Sequence, residues 1–173
     1  MSTNSLNQLD LPLERDVFLR TLVRELSGVL EEVVGLEQAN GFISIVGQNM
    51  GEWINQEYLA KLNTDALTQE QVAEALVDLK ARIQGDFYVI SQDAEKIVFG
   101  NRVCPFADKV KGRTSLCMMT SNVFGHIASQ NLGYAKVYLE QTIAKGDAGC
   151  HVVVYLKQSA EAQGKEGNEY YHS

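Results

Sequence analysis

The sequence predicts an α+β domain in which N-terminal helices pack with a small antiparallel sheet, in the order ααα-ββ-α-ββ. Three observations predict it. A long heptad-spaced stripe opens the chain, and two β-rich segments joined by short polar turns close its second half. A single helical pattern stands between those two hairpin signals.

The first helix is expected from Pro12, a residue suited to a first helical turn, with Glu14 and Asp16 favouring the positive end of its dipole. Leu19, Leu22, Leu26, Val29, Val33 and Leu36 repeat at heptad a/d spacing. That stripe is the face of a core helix or the seam of a homodimer. A second helix is expected over 36–62, with a possible break at Gly41 and an apolar side of Phe42, Ile43, Val46, Met50, Trp53 and Ile54. Gly47 and Gly51 sit four apart on one face, and close approach of another helix is a reason to keep them there. Thr68 with Gln71 three residues on is a capping box for a third helix, which carries Val72, Leu76, Leu79 and Ile83 and ends at Gly85.

Residues 86–91 and 96–100 read as a hairpin. A fourth helix is expected from about Ser115 to Gly133. Residues 134–143 then alternate, with Ala135, Val137, Leu139 and Ile143 on one face and Tyr134, Lys136, Tyr138 and Glu140 on the other. Lys145–Gly149 is a turn, and Cys150–Leu156 the last strand, with Cys150 on its more apolar face. The domain is thus expected over 12–157, between a frayed 1–11 and a flexible polar tail at 158–173.

The chain has 173 residues and a formal charge of −7, which argues against a nonspecific grip on nucleic acid or on an anionic membrane. No apolar run approaches the ~20 residues that span a bilayer. The first residues have no basic start and no apolar core, so no secretory signal is read there and a cytoplasmic location is expected. The three cysteines, Cys104, Cys117 and Cys150, are too few and too widely spaced for a disulfide framework. Metal or iron–sulfur binding, thiol redox chemistry and plain burial as small hydrophobes all stay open.

The residues from Asn101 to Gly125 concentrate the chemistry. A metal site would draw on Cys104, Cys117 and Cys150, with Glu140, His126, His151 or Asp108 as a further ligand. Cys104-Pro105 is also a weak haem-ligand dipeptide, usually just a turn. A pocket for a small ligand would be lined by Phe106, Met118, Met119, Phe124 and Tyr138, with Asn122 and Thr120 supplying polar contacts. Lys109–Arg113 is a basic spot on an acidic protein. The rival reading, a nucleophilic cysteine, lacks a well-placed histidine. His126 falls nine residues after Cys117, about 2.5 helical turns away, and His151 points to the opposite strand face from Cys150.

The stretches Gln84–Ile90 (QGDFYVI), Asn101–Phe106 (NRVCPF), Ser115–Gly125 (SLCMMTSNVFG) and Gly133–Tyr155 resemble the methanogen output domain family, and the resemblance spans roughly 15–157. More distantly the chain is similar to four-vinyl-reductase domains, small-molecule sensor modules of bacterial regulators. The resemblance implies a dimeric, non-catalytic signalling domain that works with histidine kinases, response regulators or cyclic-dinucleotide enzymes. In the distant relatives a zinc ion is held by cysteines and one glutamate. Carried over by position, Cys117, Glu140 and Cys150 match that set. A further cysteine of the relatives is replaced here by Ile143, a place Cys104 would have to fill.

Overall fold

The structure, a computed structural model, describes residues 11 and 13–172. The expected fraying of 1–10 and the helix start at Pro12 lie outside the described residues. Helix α1 (Arg15–Val34) is followed by α2 (Leu36–Leu62), and only Gly35 separates them. Its φ of +83° is a left-handed conformation that glycine adopts without a Cβ clash, so the chain turns there in one residue. No break occurs at Gly41; α2 runs through it.

The heptad stripe does not enter the core. Leu26 is 61% and Val33 75% exposed, and Leu19, Leu22, Val29 and Leu36 are exposed with them; the buried residues of α1 are Ser27 and Gly28. In α2, too, the expected apolar side is mostly outside. Phe42, Val46, Met50 and Trp53 are exposed, while Ala39, Ile43, Gly47, Gly51 and Asn55 are buried at a spacing of four. A stripe of small residues lets α2 lie close on α4 (Cys117–Leu132). A Cβ on Gly47 would stand 2.7 Å from the Asn122 Cβ, and one on Gly51 3.0 Å from that of His126. Helix α3 (Gln69–Arg82) begins with the expected capping box. The Thr68 hydroxyl accepts from the Gln71 N–H, and the Thr68 N–H donates to Gln71 Oε1 at 2.9 Å.

The strands are β1 (Phe87–Gln92), β2 (Lys96–Asn101), β3 (Tyr134–Gln141), β4 (Cys150–Tyr155) and β5 (Asn168–Tyr171). They form one antiparallel sheet in the order β1-β2-β4-β3-β5. Phe87, Ile97, Phe99, Ala135, Val137, Val152 and Val154 share its inner face with Leu76, Leu79, Phe124 and Ile127 of α3 and α4. Phe124 sits edge-on to Phe87 and Phe99, at ring separations of 5.4 and 5.3 Å.

The polar tail is ordered where the sequence reading expects flexibility. Short helix α5 (Ala160–Gln163), capped by Ser159, sets Ala162 on the outer-face cluster of Val98, Val153 and Tyr155. Strand β5 then pairs with β3, covering what would otherwise be an unpaired sheet edge. Tyr170 anchors it. Its ring fills the space over Gly125, and its hydroxyl lies 2.9 Å from Ser121 Oγ.

Candidate functional site

Between the inner sheet face and the start of α4 lies a cavity of about 30 Å³, room for about one water. The loop from Arg102 to Leu116 roofs it. It contains two short 3₁₀ turns, Ala107–Val110 and Thr114–Leu116. Pro105, Phe106, Val110 and Leu116 line the cavity from that side, and Phe87, Leu139 and Val152 from the sheet. The three cysteines all line it. Cys104 comes from the roof, Cys117 from the first turn of α4 and Cys150 from the first residue of β4, where Asn101 Nδ2 donates to its sulfur at 3.5 Å.

Two of the thiols, Cys104 and Cys117, are held toward their neutral form. Burial raises the Cys104 pKa above its ordinary value, and burial together with Cys150 and Cys104 nearby pushes Cys117 up to about 12. Next to them is a group the sequence reading passed over, Lys80. Its side chain is buried, and its Nζ donates to Thr120 Oγ1 at 2.9 Å and lies 5.2 Å from the centres of the Phe87 and Phe124 rings. Burial brings its pKa down to about 8, against the opposing pull of the three cysteines. The signal was present in the sequence, since Lys80 follows Leu76 by four and so falls on the apolar face of α3.

The other expected site residues do not gather at this cavity. Of the expected ligand-pocket set, Phe106 and Thr120 line it. Phe124 is core, and Tyr138 packs on the outer-face cluster. Asn122 donates to Ser44 Oγ and to the Met118 carbonyl at the α2–α4 contact. Met118 offers its sulfur to Asn168 Nδ2 at 3.9 Å, and Met119 lies on a separate cleft described below.

The expected metal set is likewise divided. Glu140 stands on the outer sheet face with its Oε2 2.6 Å from His151 Nδ1, across the sheet from the thiols. Strand parity put it there, and the irregularity between Leu139 and Gln141 does not carry it over. His126 packs on Gly51, and Asp108 is exposed beside Lys109. Among the described residues no group of three or more histidine, cysteine or carboxylate side chains is placed to hold a metal ion. Of the zinc set of the distant relatives, Cys117 and Cys150 share the cavity and Glu140 stands apart from them.

The roof is fastened to α1. Arg24 donates to the carbonyls of Lys109 and Lys111, the latter at 2.9 Å. The Glu31 carboxylate accepts from Ser115 Oγ and pairs with Arg113, whose guanidinium fills the space over Gly28. Val23 packs on the cluster of Val110, Leu116 and Ala144 beside Cys104 and Cys117. Of the basic loop 109–113, the Arg113 side chain is thus paired with α1, while the Lys109 ammonium lies beside Asp108.

Outer helices, a five-stranded antiparallel sheet and a roofed interior cavity define an α+β domain. The profile of the methanogen output domain 1 family matches residues 22–155, and the chain belongs to that family of output domains, which makes it a signalling module. None of the curated proteins matches it significantly. Solved structures share the fold, two of them as follows. The crystal structure of the phenol-responsive sensory domain of the transcription activator PoxR with phenol superposes with a TM-score of 0.62 at 16% identity, over 88% of this chain and 80% of that one. A trafficking protein particle complex subunit 3 from Naegleria fowleri, covalently bound to palmitic acid, gives 0.60 at 14% identity, over 83% and 95%.

Proposed function

We propose that this chain is a non-catalytic sensory or output domain of a cytoplasmic regulatory system, a homodimer through α1, in which the state of the interior site is passed to the dimer seam by the roof loop. The observation that carries this reading is the direct fastening of the cavity roof to α1 through Arg24, Glu31 and Val23. A change in what lies under the roof must move Phe106, Val110 or Leu116, and those residues belong to a segment that α1 grips. The exposed stripe on the far side of α1 is then the surface on which a second copy reports the change. A kinase, response regulator or cyclic-dinucleotide enzyme is the class of protein that would read it.

Two further points support the reading. The fold neighbours hold apolar molecules, phenol in one and covalently bound palmitic acid in the other. His126 packs on Gly51 and His151 pairs with Glu140, and the raised thiol pKa values of Cys104 and Cys117 are the reverse of what a cysteine nucleophile needs.

The test is a double-mutant cycle read by the dimer dissociation constant in sedimentation. Ala144→Val adds volume under the roof, and Arg24→Met with Glu31→Gln cuts the tie to α1. Ala144→Val should change the constant at least ~5-fold with the tie intact and not without it. A chain that stays monomeric at every concentration, or a constant indifferent to Ala144→Val with the tie intact, would sink the proposal.

A further inference from the structure

A second space opens between α1, α2, α3, α4 and the Pro105–Phe106 turn, a cleft of about 350 Å³. That volume is within the range of small-molecule sites. Its apolar wall is made by Met50, Ile54, Leu79, Phe106, Met119 and Val123. Pro105 and Phe106 line both this cleft and the thiol cavity. Lys80 belongs to the wall of the cleft, and the Thr120 it bonds belongs to the wall of the cavity.

We infer that this cleft binds a small organic acid, an apolar body ending in a single carboxylate or phenolate, with its anionic oxygen received by the Lys80 ammonium. The argument is a count of charges. Arg20 in the cleft is paired with Asp16, and Arg82 with Asp78, which also accepts from the Tyr58 hydroxyl at 2.6 Å. Lys80 has no ion-pair partner among the described residues. One of its three N–H donors goes to Thr120, its Nζ lies over the faces of Phe87 and Phe124, and the three thiols stand near enough to act on its charge. A buried ammonium with no counter-charge is costly in an apolar surround, and an anion bound against it relieves that cost. An inorganic anion would leave the six apolar wall residues uncovered, and a neutral apolar molecule would leave the charge unanswered. A hydrophobic acid answers both, with Met50 and Met119 adapting to the shape of its body.

This inference rests on the reading of the domain as a ligand-responsive module, and it specifies what the ligand is. Benzoate and its neutral isostere benzamide are the probes, titrated calorimetrically into the full chain and into Lys80→Met, which keeps an apolar stem and removes the charge. Benzoate should bind at least ~10-fold tighter than benzamide to the unaltered chain, and the preference should fall to about one in Lys80→Met. The ¹⁵N shift of Lys80 Nζ, followed in the unaltered chain, should move with benzoate and not with benzamide; this decides the matter even where the variant fails to fold. Equal binding of the two probes, binding of neither, a preference that survives Lys80→Met, or an unmoved Lys80 resonance would each overturn the inference. The dimer cycle above is independent of these readouts. If benzoate binds as stated and the cycle fails, the ligand class stands and the signalling route falls; if the cycle succeeds and benzoate shows no preference, only the ligand class falls.

Discussion

Lys80 reaches Thr120 Oγ1 at 2.9 Å and is buried without a carboxylate partner among the described residues. Its pKa falls from 10.5 to about 8 on folding, because burial penalises the charged form. Between pH 8 and 10.5 the unfolded chain therefore binds more protons at this residue than the folded chain does. Stability contributed by Lys80 rises with pH across that window, and the cost of the charge is fully present below pH 8. That cost is on the order of 3 kcal/mol at pH 7, and about 1 kcal/mol of it is relieved between pH 8 and 9. Above pH 9 the raised Cys104 and Cys117 values act the other way, since the unfolded thiols ionise first. Denaturant melts at pH 7, 8 and 9 should show the rise in the unaltered chain. Lys80→Met should show a flat profile and be more stable at pH 7 by about 1–2 kcal/mol.

The thiol cavity makes a prediction about reactivity and one about metal. With Cys117 pushed up to about 12, its alkylation at pH 7.5 should be at least ~100-fold slower in the folded chain than in denaturant, and Cys104, raised as well, should also be slowed. Peptide mapping after timed iodoacetamide treatment reads each site. Because Glu140 is across the sheet at His151, Glu140→Gln should leave zinc content and melting temperature unchanged, and protein prepared with zinc should carry well under one equivalent. Stoichiometric zinc lost on that substitution would restore the carried-over ligand set.

Much of this fold was legible because it rests on local rules. The Thr68–Gln71 box, the turn at Lys145–Gly149 and the alternation read over 134–143 each follow from backbone chemistry within a few residues, although the strand ends at Gln141 and Ile143 opens a 3₁₀ turn instead. The approach of α4 to Gly47 and Gly51 was legible for a similar reason, since glycines at a shared face have few other uses. What was not legible depends on where elements dock. Periodicity showed that α1 has an apolar stripe but not that the stripe faces outward. It grouped Met118, Phe124 and Tyr138 by type, while the fold sends them to a strand contact, the core and the outer face. The tail strand was lost because its sequence is polar, and its order comes from an edge and a slot at Gly125 built by residues far away in the chain.

That slot can be tested directly. Tyr170 is held by its ring over Gly125 and by its hydroxyl at Ser121, and β5 closes the β3 edge. Tyr170→Ala should cost about 3 kcal/mol, the usual scale for losing a packed aromatic. Gly125→Ala should be destabilising too, because its Cβ would lie 2.1 Å from the Tyr170 ring, so that the ring must leave. Ending the chain at Lys157 should lower the melting temperature as far as Tyr170→Ala or further. A truncated chain as stable as the full one would show that the tail is an ornament of the sheet rather than part of it.

The α2–α4 contact gives a sharper steric prediction. A Cβ at Gly47 would meet the Asn122 Cβ at 2.7 Å, an atom fixed directly to the backbone that cannot swing away as the end of a long side chain does. Gly47→Ala gains helix propensity of up to about 1 kcal/mol but must part the helices, at a cost of about 1–3 kcal/mol. Net destabilisation is expected, with loss of the Asn122–Ser44 hydrogen bond. Gly41→Ala is the control, since nothing lies near that position, and it should stabilise by up to about 1 kcal/mol.

The outward stripe of α1 decides whether two copies meet. Leu26 and Val33 are seven apart and both exposed, so one charge at each breaks two successive layers of a seam without touching the buried face of Ser27 and Gly28. Leu26→Glu with Val33→Glu should convert a dimer into a monomer in sedimentation, a loss of at least ~100-fold in association. The melting temperature extrapolated to low protein concentration should change little, because neither side chain contributes to the core. If the doubly charged chain still sediments as a dimer, the seam lies elsewhere, and the exposed Phe42, Val46 and Trp53 of α2 are the next surface to charge. If the unaltered chain is itself monomeric, the homodimer proposal falls.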